Sequence, residues 1–332
     1  MMLPASHPPV AAPKVGVLLV NLGTPDAPNT AAVRRYLAEF LSDRRVVEIP
    51  SLIWKPILHG IILRTRPAKS AANYAKVWMD EGSPLAVYTN RQASALQSRL
   101  GSAIDVRVAM RYGQPAIASQ LSAMKADGCN RILVAPLYPQ YSGATTATVV
   151  DEVGRALAAM RWQPALRTLP AYHDDPAHIA ALATRLKTQL AELDFEPDAI
   201  VASFHGMPER TLQLGDPYHC HCQKTARLLS EALGKPLTIA FQSRFGRAKW
   251  LEPSTEDTIK RLANEGKKRV AIFAPGFSAD CLETLEELAM LGMEQFEEAG
   301  GEHYAYLPCL NDSEPGMDML ETLIRRELSG WL

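Results

Sequence analysis

The sequence predicts an α/β protein with two similar domains, each built around a parallel sheet. Its 332 residues exceed what one hydrophobic core normally serves, which favours two domains of roughly 150 residues. Short apolar runs alternate with helical patterns along the chain, as in right-handed βαβ units. Three segments of the first half recur in the same order in the second half.

The first domain is assigned to residues 14–160. A tail over residues 1–13 precedes it, contains four prolines and is expected to be disordered. It lacks the basic start and continuous apolar stretch of a signal peptide, so it is not expected to be one. The predicted strands cover residues 15–22, 105–110 and 131–137, and the predicted helices cover residues 30–41, 89–100 and 116–126.

The second domain is assigned to residues 161–332. Its final helix is expected to pack back on the first domain. The predicted strands cover residues 166–170, 199–204, 237–241, 269–274 and 304–307, and the predicted helices cover residues 176–193, 222–233 and 280–298.

In the internal repeat, matched segments of the two halves are predicted strands that end in similar residues. VGVLLVNLG parallels AIVASFHG, VRVAMRYGQP parallels TIAFQSRFGR, and GCNRILVAPLYPQYSG parallels GKKRVAIFAPGFSAD. Chance likeness among α/β strands is the alternative, but three matches in one order favour two similar domains. In such sheets ligands bind beyond the carboxyl ends of the strands, often between domains.

Composition excludes several classes of protein. Lys and Arg number 35 against 36 Asp and Glu, a balance that argues against nucleic-acid binding. Five cysteines suit a reducing compartment better than a disulfide framework, so a cytoplasmic location is expected. No GxGxxG or GxxxxGK[ST] pattern supports use of a nicotinamide cofactor or ATP.

Apolar residues crowd together at residues 52–63, here called the apolar lip. Charged residues, prolines and a glycine interrupt the surrounding stretch, so no uncharged span is long enough to cross a bilayer. The lip suits an interfacial patch with possible peripheral membrane contact. A core helix interrupted by a kink is the alternative.

Two segments carry candidate proton-transfer or metal-binding groups. His205 follows an apolar strand and precedes Gly206, which places its imidazole at a strand's carboxyl end. Asp280, Glu283 and Glu287 share one face of a predicted helix and form an acidic ladder. A His facing a carboxylate suits proton transfer or binding of a divalent cation. The alternatives are a structural histidine and a capping box formed by Asp280 and Glu283.

Two further segments have simpler alternatives. The basic cluster at residues 64–69 can clamp carboxylates, because Arg pairs with them bidentately, although a solvated face is equally compatible. Cys220, His221 and Cys222, preceded by His219, resemble a metal site. No second spaced pair of ligands accompanies them, so an exposed turn is expected.

Together the motifs resemble those of ferrochelatases, which insert ferrous iron into a porphyrin in the last step of haem synthesis. The resemblance covers the chain from about residue 15 onward, and it implies two Rossmann-like domains around a deep cleft and a lyase that converts protoporphyrin IX and Fe²⁺ into protohaem with release of two protons. The motifs that carry it are VNLGTPDAP (20–28), GSPL (82–85), APLYPQYSG (135–143), SFHGMPER (203–210), FQSRFGRAKWLEP (241–253) and CLETLEEL (281–288).

The resemblance also implies roles for individual residues. His205 matches the cleft histidine and Glu283 the facing glutamate, so both are expected to be catalytic and to contact the metal. Asp280 and Glu287 are expected to form a proton and metal path behind them. Vertebrate relatives have a histidine in place of Cys281. Residues expected near the porphyrin are Arg66, Ser83, Tyr138, Ser142 and Trp250.

Several expectations remain open at this point. His205 is expected to accept pyrrole protons while Glu283, backed by Asp280 and Glu287, handles iron and proton exit, although delivery of iron by His205 is also compatible. No cofactor is expected, because Fe²⁺ is a substrate and the chain ends without the cysteine-bearing extension of relatives that hold a [2Fe-2S] cluster. A monomer is expected. The alternatives are a chelatase for cobalt, nickel or coproporphyrin, and a non-catalytic porphyrin or haem carrier.

Overall fold

The computed structural model describes residues 12–244, 246 and 248–332, and contains two parallel four-stranded sheets. The predicted tail therefore lies almost wholly outside the described residues. The first sheet has the order β2-β1-β3-β4, with β1 Lys14–Gly23, β2 Ile104–Tyr112, β3 Cys129–Pro136 and β4 Ala165–Thr168. The second has the order β6-β5-β7-β8, with β5 Ala199–His205, β6 Thr238–Gln242, β7 Arg269–Phe273 and β8 His303–Leu307. The predicted α/β class is confirmed.

Helices connect the strands and cover both sheets, and three segments have π-helical turns. The first half contains α1 Thr30–Phe40, α2 Ser51–Ile57, π1 Leu58–Ile62, α3 Leu63–Val77, α4 Pro84–Leu100, α5 Ile117–Ala126, π2 Gly143–Ala147 and α6 Thr148–Ala158. The second contains α7 Pro176–Ala191, α8 Glu209–Gln213, α9 Tyr218–Leu233, α10 Thr255–Asn264, π3 Glu283–Leu291, α11 Gly292–Glu298 and α12 Glu314–Glu327.

The central strands of both sheets are buried on both faces, as parallel sheets require. Val17 through Val20 of β1 are fully buried, and so are Val201 and Ala202 of β5. Side-chain caps start several of the covering helices; Asn29, for example, accepts a hydrogen bond from the amide of Ala32. The apolar runs in the sequence therefore mark the centres of the two sheets.

The strand predicted at residues 166–170 does not open the second sheet. It is β4, which pairs with β3 from Arg131 opposite Ala165 to Val134 opposite Thr168. The helix α6 returns the chain to the free edge of β3, and a short apolar run carries no information about which sheet it joins. The last strand of the first sheet thus ends at Thr168, so the boundary between the two sheets lies after this residue and not after residue 160.

The apolar lip belongs to a helical segment with one buried and one exposed side. Trp54 and Leu58 are buried, and the Trp54 indole N–H donates to the carbonyl of Leu41 at 2.6 Å. Leu52 is 93% exposed and Ile61 is 57% exposed. The interpretation as an interfacial patch therefore fits the exposed side, and the interpretation as a core helix fits the buried side. Within the described ranges, no helix has the length and apolarity needed to cross a membrane.

The last helix, α12, forms ion pairs with α4 of the first half. Arg99 of α4 binds the carboxylates of Glu314, Asp318 and Glu321. The Arg325 guanidinium also donates to the Arg99 carbonyl at 2.9 Å. These contacts fasten the end of the chain to the first half.

We expect Arg99→Met to lower the melting temperature by about 2–4 °C at neutral pH, because it removes a network rather than one exposed pair. Arg325 and Arg99 lower the pKa of Glu321, so the network stabilises the fold above the ordinary Glu value of 4.5 and loses this contribution as the pH falls through the lowered pKa. Calorimetry of both proteins at several pH values measures this. An equal fall in melting temperature at neutral pH and at about pH 3 would contradict the proposed contribution of the ion pairs.

Candidate active site

The carboxyl ends of the strands surround a cavity of about 1030 Å³ between the two halves. Segments that follow β1, β3, β5, β6 and β7 all contribute to its wall, as expected for paired α/β sheets. Much of the remaining wall is apolar and comes from the residues around α1, α2 and the loop before α2. A pocket of this size and character suits a large flat apolar ligand.

His205 lies at the end of β5 and lines the cavity. Its Nδ1 is 2.7 Å from the carbonyl oxygen of Gly206. Because a carbonyl only accepts, Nδ1 carries the hydrogen in the neutral ring, and Nε2 presents a lone pair. The Tyr218 hydroxyl donates to the His205 carbonyl at 2.9 Å and fixes the local backbone. The imidazole can therefore accept a proton or bind a metal through Nε2.

Gly206 lets the segment after β5 pass directly over the end of β6. Its amide donates to the carbonyl oxygen of Gln242 at 2.7 Å. A Cβ at this position would lie only 2.5 Å from that oxygen and 3.2 Å from the Trp250 ring. The close approach therefore requires glycine.

Gly206→Ala is expected to destabilise the fold by about 1–3 kcal/mol, because the added methyl group forces two backbone segments apart. Differential scanning calorimetry measures the change. Gly154→Ala is the matched control, since a Cβ added at Gly154 would have open space within 4 Å. Equal stability of the Gly206→Ala protein and the parent chain would refute the steric argument.

Glu283 and Glu287 line the same cavity from π3. Burial raises the pKa of Glu287, and the neighbouring Glu283 raises it further, whereas the Ser243 hydroxyl and the His205 charge lower it. His205 lines the same cavity wall. The structure thus brings together the predicted histidine and two of the three predicted carboxylates.

Asp280 occupies a different position from the other two acidic residues. It is 2% exposed and is not part of the cavity wall. Its carboxylate accepts hydrogen bonds from the hydroxyls of Tyr306 (2.5 Å) and Thr284 (3.0 Å) and from the side-chain amide of Asn311 (2.6 Å). The predicted three-residue ladder fails because Asp280 precedes π3 and is held by β8 and the loop after it. Asp280 anchors the start of π3.

Four of the five residues expected near a porphyrin line the cavity: Arg66, Ser83, Tyr138 and Trp250. The Tyr138 hydroxyl is buried and has no hydrogen-bond partner among the described residues, so a ligand or water can use it. Ser83 also caps α4 by accepting from the amide of Ala86.

Ser142 was expected in this group, but it is fully buried and does not line the cavity. Its hydroxyl donates to Asp216 at 3.2 Å and accepts from the amide of Ala144 at 3.2 Å. Ser142 therefore caps π2 instead of contacting a ligand. Its position in a motif beside Tyr138 gave no signal of this difference.

The basic cluster divides into two parts. Arg66 lines the cavity, and burial lowers the pKa of its guanidinium. Arg64 and Lys69 are exposed outside the cavity, so for them the solvated-face interpretation applies. Arg210 and Lys249 also line the cavity wall. They lie in the motifs SFHGMPER and FQSRFGRAKWLEP, but no carboxylate-binding role was predicted for them from the sequence. Only the fold shows that these groups surround one opening.

The Cys220–Cys222 segment forms the first turn of α9 instead of an exposed turn. Cys222 is fully buried, and the His221 ring stacks on His173 with centroids 3.5 Å apart. Throughout residues 12–244, 246 and 248–332, no three His, Cys, Asp or Glu side chains form a metal-binding group. The segment is therefore part of the helix packing.

Comparison with known proteins identifies the family. The family model described as Ferrochelatase matches residues 14–328. The chain belongs to the ferrochelatase family. It is 56% identical over 333 residues to a ferrochelatase of Rhizobium meliloti, covering 98% of each chain. It is 54% identical over 337 residues to one of Agrobacterium fabrum, covering 99% of this chain and 98% of the relative.

Solved structures with a similar fold include SirB and CbiX. SirB from Bacillus subtilis with Fe³⁺ has a TM-score of 0.60 at 11% identity, covering 96% of this chain and 97% of SirB. CbiX, described as the terminal enzyme of sirohaem biosynthesis in denitrifying bacteria, has a TM-score of 0.53 at 17% identity, covering 95% and 100%. At these identities the likeness concerns the fold alone. Membership of the ferrochelatase family makes the chain a lyase that inserts iron into a porphyrin in haem biosynthesis.

Proposed function

We propose that the chain inserts Fe²⁺ into protoporphyrin IX within this cavity, giving protohaem and two protons. The observation that carries the proposal is the placement of His205, whose Nδ1 is hydrogen-bonded to the Gly206 carbonyl, in the same cavity as Glu283 and Glu287. Metal insertion requires that two pyrrole protons leave while a dication enters the ring. A proton acceptor and a set of oxygen donors must therefore both reach the macrocycle.

His205 is proposed to accept the pyrrole protons. Histidine is the side chain best suited to exchange protons near neutral pH. The hydrogen bond from Nδ1 to the Gly206 carbonyl keeps the ring oriented and stabilises the imidazolium that forms when Nε2 takes a proton. The Phe277 ring is an apolar neighbour of the imidazole in the cavity wall, with ring centroids 6.4 Å apart.

Glu283 and Glu287 are proposed to guide the iron. Carboxylate oxygens are suitable ligands for a divalent first-row metal. The two carboxylates lie on one π-helical segment of the cavity wall, where they can pass a metal ion to the ring. The four ring nitrogens complete the coordination and draw the ion into the product.

The choice of protoporphyrin rests on the balance of charge around the cavity. Its two propionates can pair with cations in the wall such as Arg66, Arg210 and Lys249. A ring with four propionates would place additional charges against apolar residues, where desolvation is costly. Steady-state insertion assays with protoporphyrin IX and coproporphyrin III test this choice. A higher kcat/KM for coproporphyrin would overturn it.

We also propose that the chain is a cytoplasmic monomer that contacts membranes through the apolar lip. Leu52 and Ile53 are 93% and 59% exposed, close in sequence to Trp54 of the cavity wall. Lys55, which is also exposed, lies between them and π1. An exposed apolar patch with a cationic neighbour suits an anionic lipid surface. Light scattering after size-exclusion chromatography tests the monomer.

Leu52→Glu with Ile53→Glu is expected to reduce co-sedimentation with vesicles containing anionic lipid by at least about threefold, because each change removes apolar area worth roughly 1–2 kcal/mol on burial. The matched control is Val150→Glu, which adds one charge at an exposed apolar position on α6. Equal vesicle binding by the parent and the double variant would rule out the lip as the contact.

No resident cofactor or iron–sulfur cluster is proposed, and iron is treated as substrate. The cysteines are free and distributed over separate elements: Cys129 in β3, Cys220 and Cys222 in α9, Cys281 before π3 and Cys309 after β8. An iron–sulfur cluster is usually held by four cysteine thiolates that meet at one point, and these cysteines belong to separate elements. Acid-labile sulfide in protein purified without oxygen would overturn this.

A further inference from the structure

Ser243 connects the end of β6 to the acidic residues of π3. It is not glycine, yet its φ of 63° lies in the left-handed region, which costs energy for side-chain-bearing residues. The conformation directs two donors at one side chain. The Ser243 amide nitrogen is 2.6 Å from Oε1 of Glu287, and its hydroxyl oxygen is 2.5 Å from Oε2.

The preceding residue joins the same two regions. The Gln242 side-chain amide donates to the Glu283 carbonyl at 2.8 Å, and its own backbone carbonyl accepts from the Gly206 amide at 2.7 Å. Gln242 Oε1 in turn accepts from the buried Ser203 hydroxyl at 2.8 Å. Residues 242 and 243 therefore connect the segment that carries His205 with the helix that carries both glutamates.

We propose that Ser243 is a positioning residue for metal delivery, which holds the Glu287 carboxylate against the cavity wall beside Glu283. The inference rests on the proposed role of Glu287. A glutamate side chain has several rotamers, and two hydrogen bonds to its two oxygens select one of them. A carboxylate has about four acceptor directions, so two remain for a metal ion.

The strained backbone of Ser243 is consistent with this role. Left-handed strain in a non-glycine residue persists only where surrounding contacts maintain it, and it concentrates at functional sites. Among the described residues, the two hydrogen bonds to Glu287 are contacts that can maintain it in Ser243. A residue that served only to turn the chain after β6 would need no hydroxyl, and glycine would adopt this φ without strain.

The test compares Ser243→Ala and Ser243→Gly with the parent chain in anaerobic Fe²⁺ and Zn²⁺ insertion assays. Both variants remove the hydroxyl, but only glycine also removes the strain, so Ser243→Gly is expected to fold even where alanine does not. We expect each to raise the KM for metal about tenfold and to leave the KM for protoporphyrin within about twofold, because each loses one hydrogen bond to a charged group. Ser98→Ala, at an exposed position of α4, is the matched control.

Glu287→Gln separates this inference from the role on which it rests. If Glu287→Gln leaves the KM and kcat unchanged, the role of Glu287 is wrong and the inference falls with it. If Glu287→Gln impairs insertion while both Ser243 variants remain unchanged, only the inference is overturned. Normal kinetics of Ser243→Gly with impaired Ser243→Ala would also overturn it, because strain alone would then explain the effect. The Ser243→Gly, Glu287→Gln double variant is expected to be no worse than Glu287→Gln.

Discussion

His205→Ala is expected to lower kcat for iron insertion by at least about 10²-fold, because removal of a positioned proton acceptor typically costs roughly 10²–10⁴. The substitution removes Nε2, the ring atom that is free of its proton in the neutral side chain. Gly206, the next residue, has no side chain that could replace it. The assay is anaerobic insertion of Fe²⁺ or Zn²⁺ into protoporphyrin, followed by absorbance.

His205→Asn is the informative companion variant. Its side-chain amide can donate to the Gly206 carbonyl as Nδ1 does, so the local backbone is preserved while the acceptor at Nε2 is lost. Comparable losses in the Ala and Asn variants would assign the effect to Nε2. Unchanged turnover in either protein would refute the role of His205.

The same pair of variants distinguishes proton acceptance from iron binding. If His205 is the base, Co²⁺ binding in the absence of porphyrin, measured by visible spectroscopy, is unchanged in His205→Asn. If Nε2 is the iron ligand, Co²⁺ binding weakens together with turnover. The two roles use one atom but predict different behaviour of the metal alone.

Glu283→Gln is expected to be the second most damaging change. We expect it to lower kcat/KM for the metal by about 10- to 100-fold. The amide retains the size of the carboxylate but removes the negative charge, which contributes most of the attraction for a dication. The Lys76–Glu286 ion pair at 2.9 Å is left intact, so the packing of π3 against α3 is preserved. Steady-state kinetics with varied metal concentration measures the effect.

Glu294→Gln on α11 is the matched control, since this glutamate is exposed and lies outside the cavity wall. A parent-like KM for metal in Glu283→Gln would contradict the assignment. Thermal unfolding of both variants verifies that their folds are comparable, because Glu283 contributes its carbonyl, and not its carboxylate, to the bond with Gln242.

Most of the fold could be predicted from local patterns. The apolar runs that became β1, β3, β5 and β7 are long or isolated enough to mark buried parallel strands. The edge strand β4 was placed in the wrong sheet, because four residues carry a strand pattern but no information about their partner. The π-helical turns at residues 58–62 and 283–291 could not be predicted, because a period of 3.6 residues is typical of regular α-helices only.

Three candidate site residues lie in the cavity where the ends of the predicted strands place them, and their roles stay predictions. His205 and the two glutamates of π3 all line the cavity. Asp280 and Ser142 do not, because their partners, Asn311 and Asp216, are distant in sequence and turn these side chains away from the cavity. Neighbours in a motif can therefore serve the helix that carries the site instead of the ligand.

The sequence by itself determined the two-sheet architecture and the family, and it predicted which types of group line the site. Only the tertiary structure decided which nitrogen of His205 is available, that Asp280 anchors a helix, and that Ser243 binds Glu287. The physical reason is that each of these properties depends on hydrogen-bond geometry created when separate segments meet. Residue type and spacing specify donors and acceptors, whereas folding selects their partners.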